Sequence, residues 1–278
     1  MSDETQMTED SAETDPPRRT RLLRVAEHIR TQNWTAIGID FLIVVLGVFV
    51  GIQVSNWNQA RVDRQRGVEF TERLRTDLIE ERWVFEFIPA YFSDVHDAAD
   101  RAVLALEGKA ELSNHDLLVA AYRATQYRDE GNRRRTTYDE LVSTGSLGLI
   151  TDKRLLRGAA EIFRLRTIEN VMRESMESAY RHTFRERVSN TVQRELARRC
   201  GDRSILPGQY EGIDTVIDYP CTLELEPAAI DAAAEALRAD PEVLRALRLR
   251  VADVETRLVD FKDDAKLGLF DGVDEKAR

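Results

Sequence analysis

Asp94, His96, Asp97 and Asp100 form a small acidic cluster in which His96 and Asp100 stand at i, i+4. That spacing places two metal ligands on one face of a helix. The chain has only 4 histidines, and neither H-E-x-x-H nor C-x-x-C accompanies the cluster, so a solvated helix face is the competing reading. His115-Asp116 and His182 offer less. Arg133, Arg134 and Arg135 have the charge to receive an anionic group, or else form a solvated turn ahead of a helix. Gly145-Ser146-Leu147-Gly148 lacks the lysine and the flanking strand of a phosphate-binding loop. No P-loop, G-x-G-x-x-G or G-x-S-x-G occurs elsewhere. No catalytic constellation and no cofactor follow from these residues, and a metal-dependent enzyme built on His96 is a remote alternative.

The 2 cysteines, Cys200 and Cys221, end the segment CGDRSILPGQYEGIDTVIDYPC, the least helical and most Gly/Pro-rich stretch of its half of the chain. Joined as a disulfide they would close a loop worth about 3 kcal/mol in the chain-entropy picture, and such bonds persist in oxidising compartments. Two unpaired buried thiols are the alternative.

These residues must be positioned by a chain whose one apolar stretch is Trp34 to Asn58, WTAIGIDFLIVVLGVFVGIQVSNWN. From Ala36 to Val54 its only charge is Asp40, and as a helix that run is about 28 Å long, enough to cross a bilayer core. Trp34 and Trp57 bracket it as interfacial aromatics would. The segment ahead of it is long for a signal peptide and GIQVSNWN offers no A-x-A-like cleavage site, so a retained anchor is expected. Gly47-x-x-x-Gly51 lets two helices approach closely, and Asp40, Gly47, Gly51 and Asn58 fall on one stripe of the helix. A carboxylate within a span points to function or a partner. Asp40 is also near enough to the interface to serve as a topological anchor.

Residues 1–16 hold six acids, no base and almost nothing apolar, the composition of a disordered tail. Residues 17–33 are rich in arginine, which suits either an amphipathic helix on anionic headgroups or a flank that fixes orientation. Arginines lie on both sides of the span. Because a long domain translocates largely regardless of its charge, the short N-terminal head is the informative flank and is placed in the cytoplasm.

After Asn58 the helical period continues through Phe70, Leu74 and Leu78, so the span is expected to run on as far as Pro89, with Tyr91 to Leu106 a further helical length. Ser113 or Asn114 can cap a helix over DLLVAAYRATQY. Thr137 to Leu141 reads as a short helix closed by Gly145. Thr151 or Asp152 starts a stripe that continues to Cys200, expected as one very long helix or two in line. Pro227 opens an Ala-rich helix, and Asp240-Pro241 is a capping pair. Leu244, Leu247, Val251, Val254, Leu258 and Phe261 then form an a/d seam that must pack on another helix, in this chain or a second.

Two blocks together carry a resemblance: DFLIVVLGVFVGIQVSNWN in the span, and TYDELVSTGSLGLITDKRLL downstream. They resemble a bacterial family of single-pass membrane proteins known as a domain of unknown function. That family has an acidic residue early in the span, a Gln-x-x-Asn-Trp-Asn end and a later Tyr-x-x-Leu…Gly-x-Leu-x-Leu-Ile block. The matching residues are Asp40, Gln53, Asn56, Trp57 and Asn58, then Tyr138, Leu141, Gly145, Leu147, Leu149 and Ile150. Asp40 stands where glutamate is usual, and Phe163 where an aromatic pair is common. The resemblance spans about residues 34 to 165 and implies a membrane-anchored helical protein with no catalytic residues to transfer.

The expected architecture is all-α: a transmembrane helix over 34–58 continuing into a helical bundle over 59–278, with the bundle in the periplasm of a bacterial inner-membrane protein. With 40 basic and 50 acidic residues, a net charge of −10, a nucleic-acid partner is disfavoured. The expected partners are the lipid bilayer and, through the membrane helix, a second copy. Action by protein association leads; a ligand-sensing module that uses Arg133 to Arg135 is the alternative.

Overall fold

In a computed structural model the described residues are 34–128, 133–206, 208, 209, 211, 212 and 216–273. The acidic tail at 1–16 and the arginine-rich stretch at 17–33 lie outside them. The fold is all-α, and no strand occurs among the described residues. The helices are α1 (Trp34–Leu106), α2 (Asn114–Arg123), α3 (Thr136–Ser143), α4 (Lys153–Arg164), α5 (Thr167–Met176), α6 (Ala179–Arg187), α7 (Asn190–Cys200), α8 (Pro227–Ala239) and α9 (Pro241–Ala265). A 3-10 turn, Ser146–Leu149, joins α3 to α4.

The chain divides into two units, Met1–Val62 and Asp63–Arg278. In the first, the helix is long and apolar enough to cross a membrane, and none of that apolar run is buried in the protein. Side chains such as Phe41 and Trp57 stand in the open at 71% and 65% exposure. Such contiguous apolar exposure requires a membrane or a partner.

In the second unit, the part of α1 from Leu74 to Val103 is the spine. Leu74 and Leu78 pack with Leu141, Ile150, Leu155 and Ile162. Trp83, Phe87, Tyr91 and Val95 pack with Ile168, Val171, Val254 and Phe261. Ala99 and Ala102 pack with α2, Tyr180, Phe184, Leu196 and Leu247. Each fully buried leucine, isoleucine, valine or phenylalanine among these contributes about 1.5–3 kcal/mol.

That burial explains why α1 does not end at Pro89, as its sequence predicts, but carries the proline inside an unbroken helix. A mid-helix proline forfeits one backbone hydrogen bond and costs about 3 kcal/mol. Phe87, Ile88, Tyr91 and Phe92 around it are completely buried, which offsets the loss.

The stripe from 151 to 200 is likewise corrected, because it forms four helices rather than one or two. Leu165 is extended, and Ser178 and Ser189 sit at N-cap positions, each accepting from a backbone N–H three residues on. A serine hydroxyl satisfies the orphan donors of a new helix, so the chain restarts there while the same face stays buried. Ser113, Asp152 and Asp240 cap α2, α4 and α9 as their sequence signals require. The α9 seam packs within the chain, against α5, α6 and α8. Arg250 is buried on that seam and donates to the carbonyls of Ala124 and Gln126 and to Ser175 Oγ. Burial pushes its guanidinium down to about 10, against the opposing influence of Tyr91 and Asp253.

Candidate functional site

The block Thr137 to Ile150 is brought onto α1. Leu141 and Ile150 are fully buried there, beside Leu74 and Leu78. Asp77 accepts from the Thr137 N–H at 3.2 Å, and Arg73 pairs with Glu140 at 2.6 Å. Gly145, at φ 67°, takes the left-handed conformation that lets the chain leave α3 and turn sharply. The turn that follows brings its backbone onto the helix. A Cβ on Gly67 would lie 2.6 Å from the Leu149 carbonyl oxygen. Beside this contact Asp63, Arg64, Val68, Glu72, Leu149 and Thr151 edge a cleft of about 390 Å³.

Because the obstacle at Gly67 is backbone, relief requires the turn to move. Gly67→Ala is therefore expected to destabilise the protein by about 1–3 kcal/mol despite alanine's better helix propensity, read as a lower urea midpoint of the detergent-solubilised chain. A midpoint at or above that of the wild type would mean the turn is not held against α1.

Within the arginine triplet Arg134 and Arg135 are exposed, as in a solvated turn, while Arg133 is drawn into the protein. Arg133 Nε donates to Glu81 at 2.7 Å, and the Glu81 side chain has no exposure at all. The Arg134 backbone N–H donates to the other Glu81 oxygen at 2.6 Å. Arg133 also donates to the carbonyls of Ile162 and Leu165, at the C-terminal end of α4, and to Glu169 in α5. Its guanidinium lies over the rings of Phe85 and Phe163. Arg134 and Arg135 pair with Glu80 and Asp139. One side chain thus ties α1 to the end of α4, where carbonyls without intrahelical partners favour a cation, and to α5. The nearby hollow of about 250 Å³ is edged by Tyr127, Met172, Met176 and Arg173 as well as Arg133.

Cys200 and Cys221 are joined in a disulfide with Cα atoms 5.5 Å apart. The loop they close is also tied to α2. Arg123 donates to Asp218 at 3.0 Å and to the Tyr219 carbonyl, and the Tyr219 hydroxyl donates to the Gly201 carbonyl. Tyr91, buried in α1, donates to Asp202 at 2.8 Å, and burial with that carboxylate beside it raises its phenol well above its usual range.

Among the described residues His96 pairs with Asp97, at 3.3 Å, and Asp94 and Asp100 are not gathered with it into a ligand set. Among the described residues no three His, Cys, Asp or Glu side chains are grouped to hold a metal ion. His115 Nε2 accepts from the Leu223 N–H at 3.4 Å, which leaves Nδ1 to donate to Asp116. In the first unit Asp40, Gly47, Gly51 and Asn58 are all exposed, and nothing lies within 4 Å of a Cβ built on either glycine.

Sequence reasoning missed Glu81 and Gly67. A glycine inside a helical run was the available signal for a close backbone approach. No family model, curated protein or solved structure matches the chain.

Proposed function

We propose that this protein is a single-pass component of a bacterial inner membrane, with its N-terminus in the cytoplasm and its all-α domain in the periplasm, and that it works by protein association rather than by catalysis. The observation that carries this reading is the wholly exposed apolar helix of the first unit. Asp40, Gly47, Gly51 and Asn58 share one stripe of it with room beside both glycines. The Cys200–Cys221 bond favours an oxidising compartment for the domain. The resemblance of the span and of the Tyr138 to Ile150 block to the bacterial single-pass family agrees with it.

Both native cysteines are engaged, so a cysteine introduced in the span is the only reactive thiol. Gly47→Cys and Gly51→Cys are expected to give a disulfide-linked dimer when membranes are oxidised, while a cysteine at Val45, off the stripe, gives none. Absence of dimer at 47 and 51 would rule out self-association through this face. A compartment reporter fused after residue 278 tests the orientation separately: activity in the cytoplasm would reverse the topology.

A further inference from the structure

A cleft of about 590 Å³ lies between α4 and the 267–272 turn. One face of α4 is apolar: Leu155, Ala159 and Ile162 are buried. The other face turns Arg154, Arg157 and Arg164 to the cleft. Arg154 and Arg157 stand one helical turn apart, where like charges repel by a few tenths of a kcal/mol. Arg164 has its counter-charge in Glu161, at 2.5 Å. Arg157 is exposed and makes no hydrogen bond or ion pair among the described residues.

The opposite wall is backbone. It comes up against α4 at Gly158, where an added Cβ would stand 2.8 Å from the Leu269 carbonyl oxygen, and Gly268 and Gly272 lie along the turn itself. Three of the chain's 14 glycines thus edge one cleft, with the Asp271 side chain against Gly268 and that of Arg154 against Gly272. Asp271 is the second carboxylate at the rim, and Leu267 stands 60% exposed beside it. A cleft with arginines on one side, open backbone on the other and an apolar edge matches an oxyanion attached to a small apolar body. Guanidinium forks bind phosphate in paired hydrogen bonds, and this domain is otherwise acidic.

We infer that this cleft binds a phosphomonoester, with Arg157 as the principal anion contact and Leu267 against the ester's carbon chain. The group can arrive on a soluble metabolite or on a lipid headgroup. The test uses the full chain in nanodiscs of zwitterionic lipid, melted with and without glycerol 3-phosphate at matched ionic strength. A second set of nanodiscs contains phosphatidic acid.

A rise in melting temperature of about 2–4 °C, as expected of a ligand at several times its Kd in a domain of this size, is predicted in one arm or both. A rise with glycerol 3-phosphate assigns a soluble ligand, and a rise only with phosphatidic acid assigns the headgroup. Arg157→Glu is predicted to abolish the rise and leave the ligand-free melt unchanged, since the side chain is exposed and has no hydrogen-bond or ion-pair partner among the described residues. Should glutamate perturb the melt, Arg157→Gln serves in its place. No rise in either arm, or the same rise in wild type and variant, overturns the inference.

Discussion

Replacing Arg133 with methionine is expected to cost about 3–5 kcal/mol of folding stability, the range found when one partner of a buried ion pair is removed. The loss is large because three kinds of group are left behind. Glu81, without any exposure, keeps only the Arg134 N–H. The Leu165 carbonyl loses the Arg133 donor, the Ile162 carbonyl keeps only the Leu165 N–H, and Phe85 and Phe163 lose the cation between them. In a thermal melt of the solubilised protein the drop should be on the order of 10 °C.

The same physics predicts that Glu81→Leu together with Arg133→Met costs much less than Arg133→Met alone, because the double variant buries no charge. If both variants melt together near wild type, the clasp contributes nothing. If both melt equally low, the loss is one of packing rather than of an uncompensated charge.

Removing the disulfide is the second large effect. For a bond closing a loop of sequence separation 21, the chain-entropy picture gives about 3 kcal/mol, lost when Cys200 and Cys221 are both changed to alanine. Native helix content at room temperature should survive, because Arg123 still holds Asp218 and the Tyr219 carbonyl, and Tyr91 still holds Asp202. Circular dichroism would then show an unchanged spectrum and a melt lowered by roughly 6–12 °C. An unshifted melt would mean that the hydrogen bonds alone define the loop. Loss of the spectrum would mean that the bond is a condition of folding.

Much of the helical fold was legible because its signals are local. Ser113, Asp152 and the Asp240-Pro241 pair act through hydrogen bonds to residues two or three further on, so the sequence window that contains the cap also contains its partner. The α9 seam and the apolar run of α1 were visible for the same reason, since helical period and length are properties of a single segment. Where several local readings competed, the fold chose between them. The proline inside α1 signals an end, yet the helix passes through it because the surrounding aromatics are buried. The stripe from 151 to 200 reads as continuous, yet serine caps divide it.

By itself, then, the sequence determined an all-α chain with one long apolar helix, its capped helix starts and its seam, and left the pairing of the two cysteines open. The tertiary structure alone decided what the polar side chains do. Arg133 and Glu81 lie 52 residues apart, and Gly67 meets Leu149 across an even longer separation. No spacing rule links residues so distant. Only the folding of α3, the turn and α4 back onto α1 drew Arg133 out of an otherwise exposed triplet into a clasp, and left the arginine face of α4 beside an open cleft.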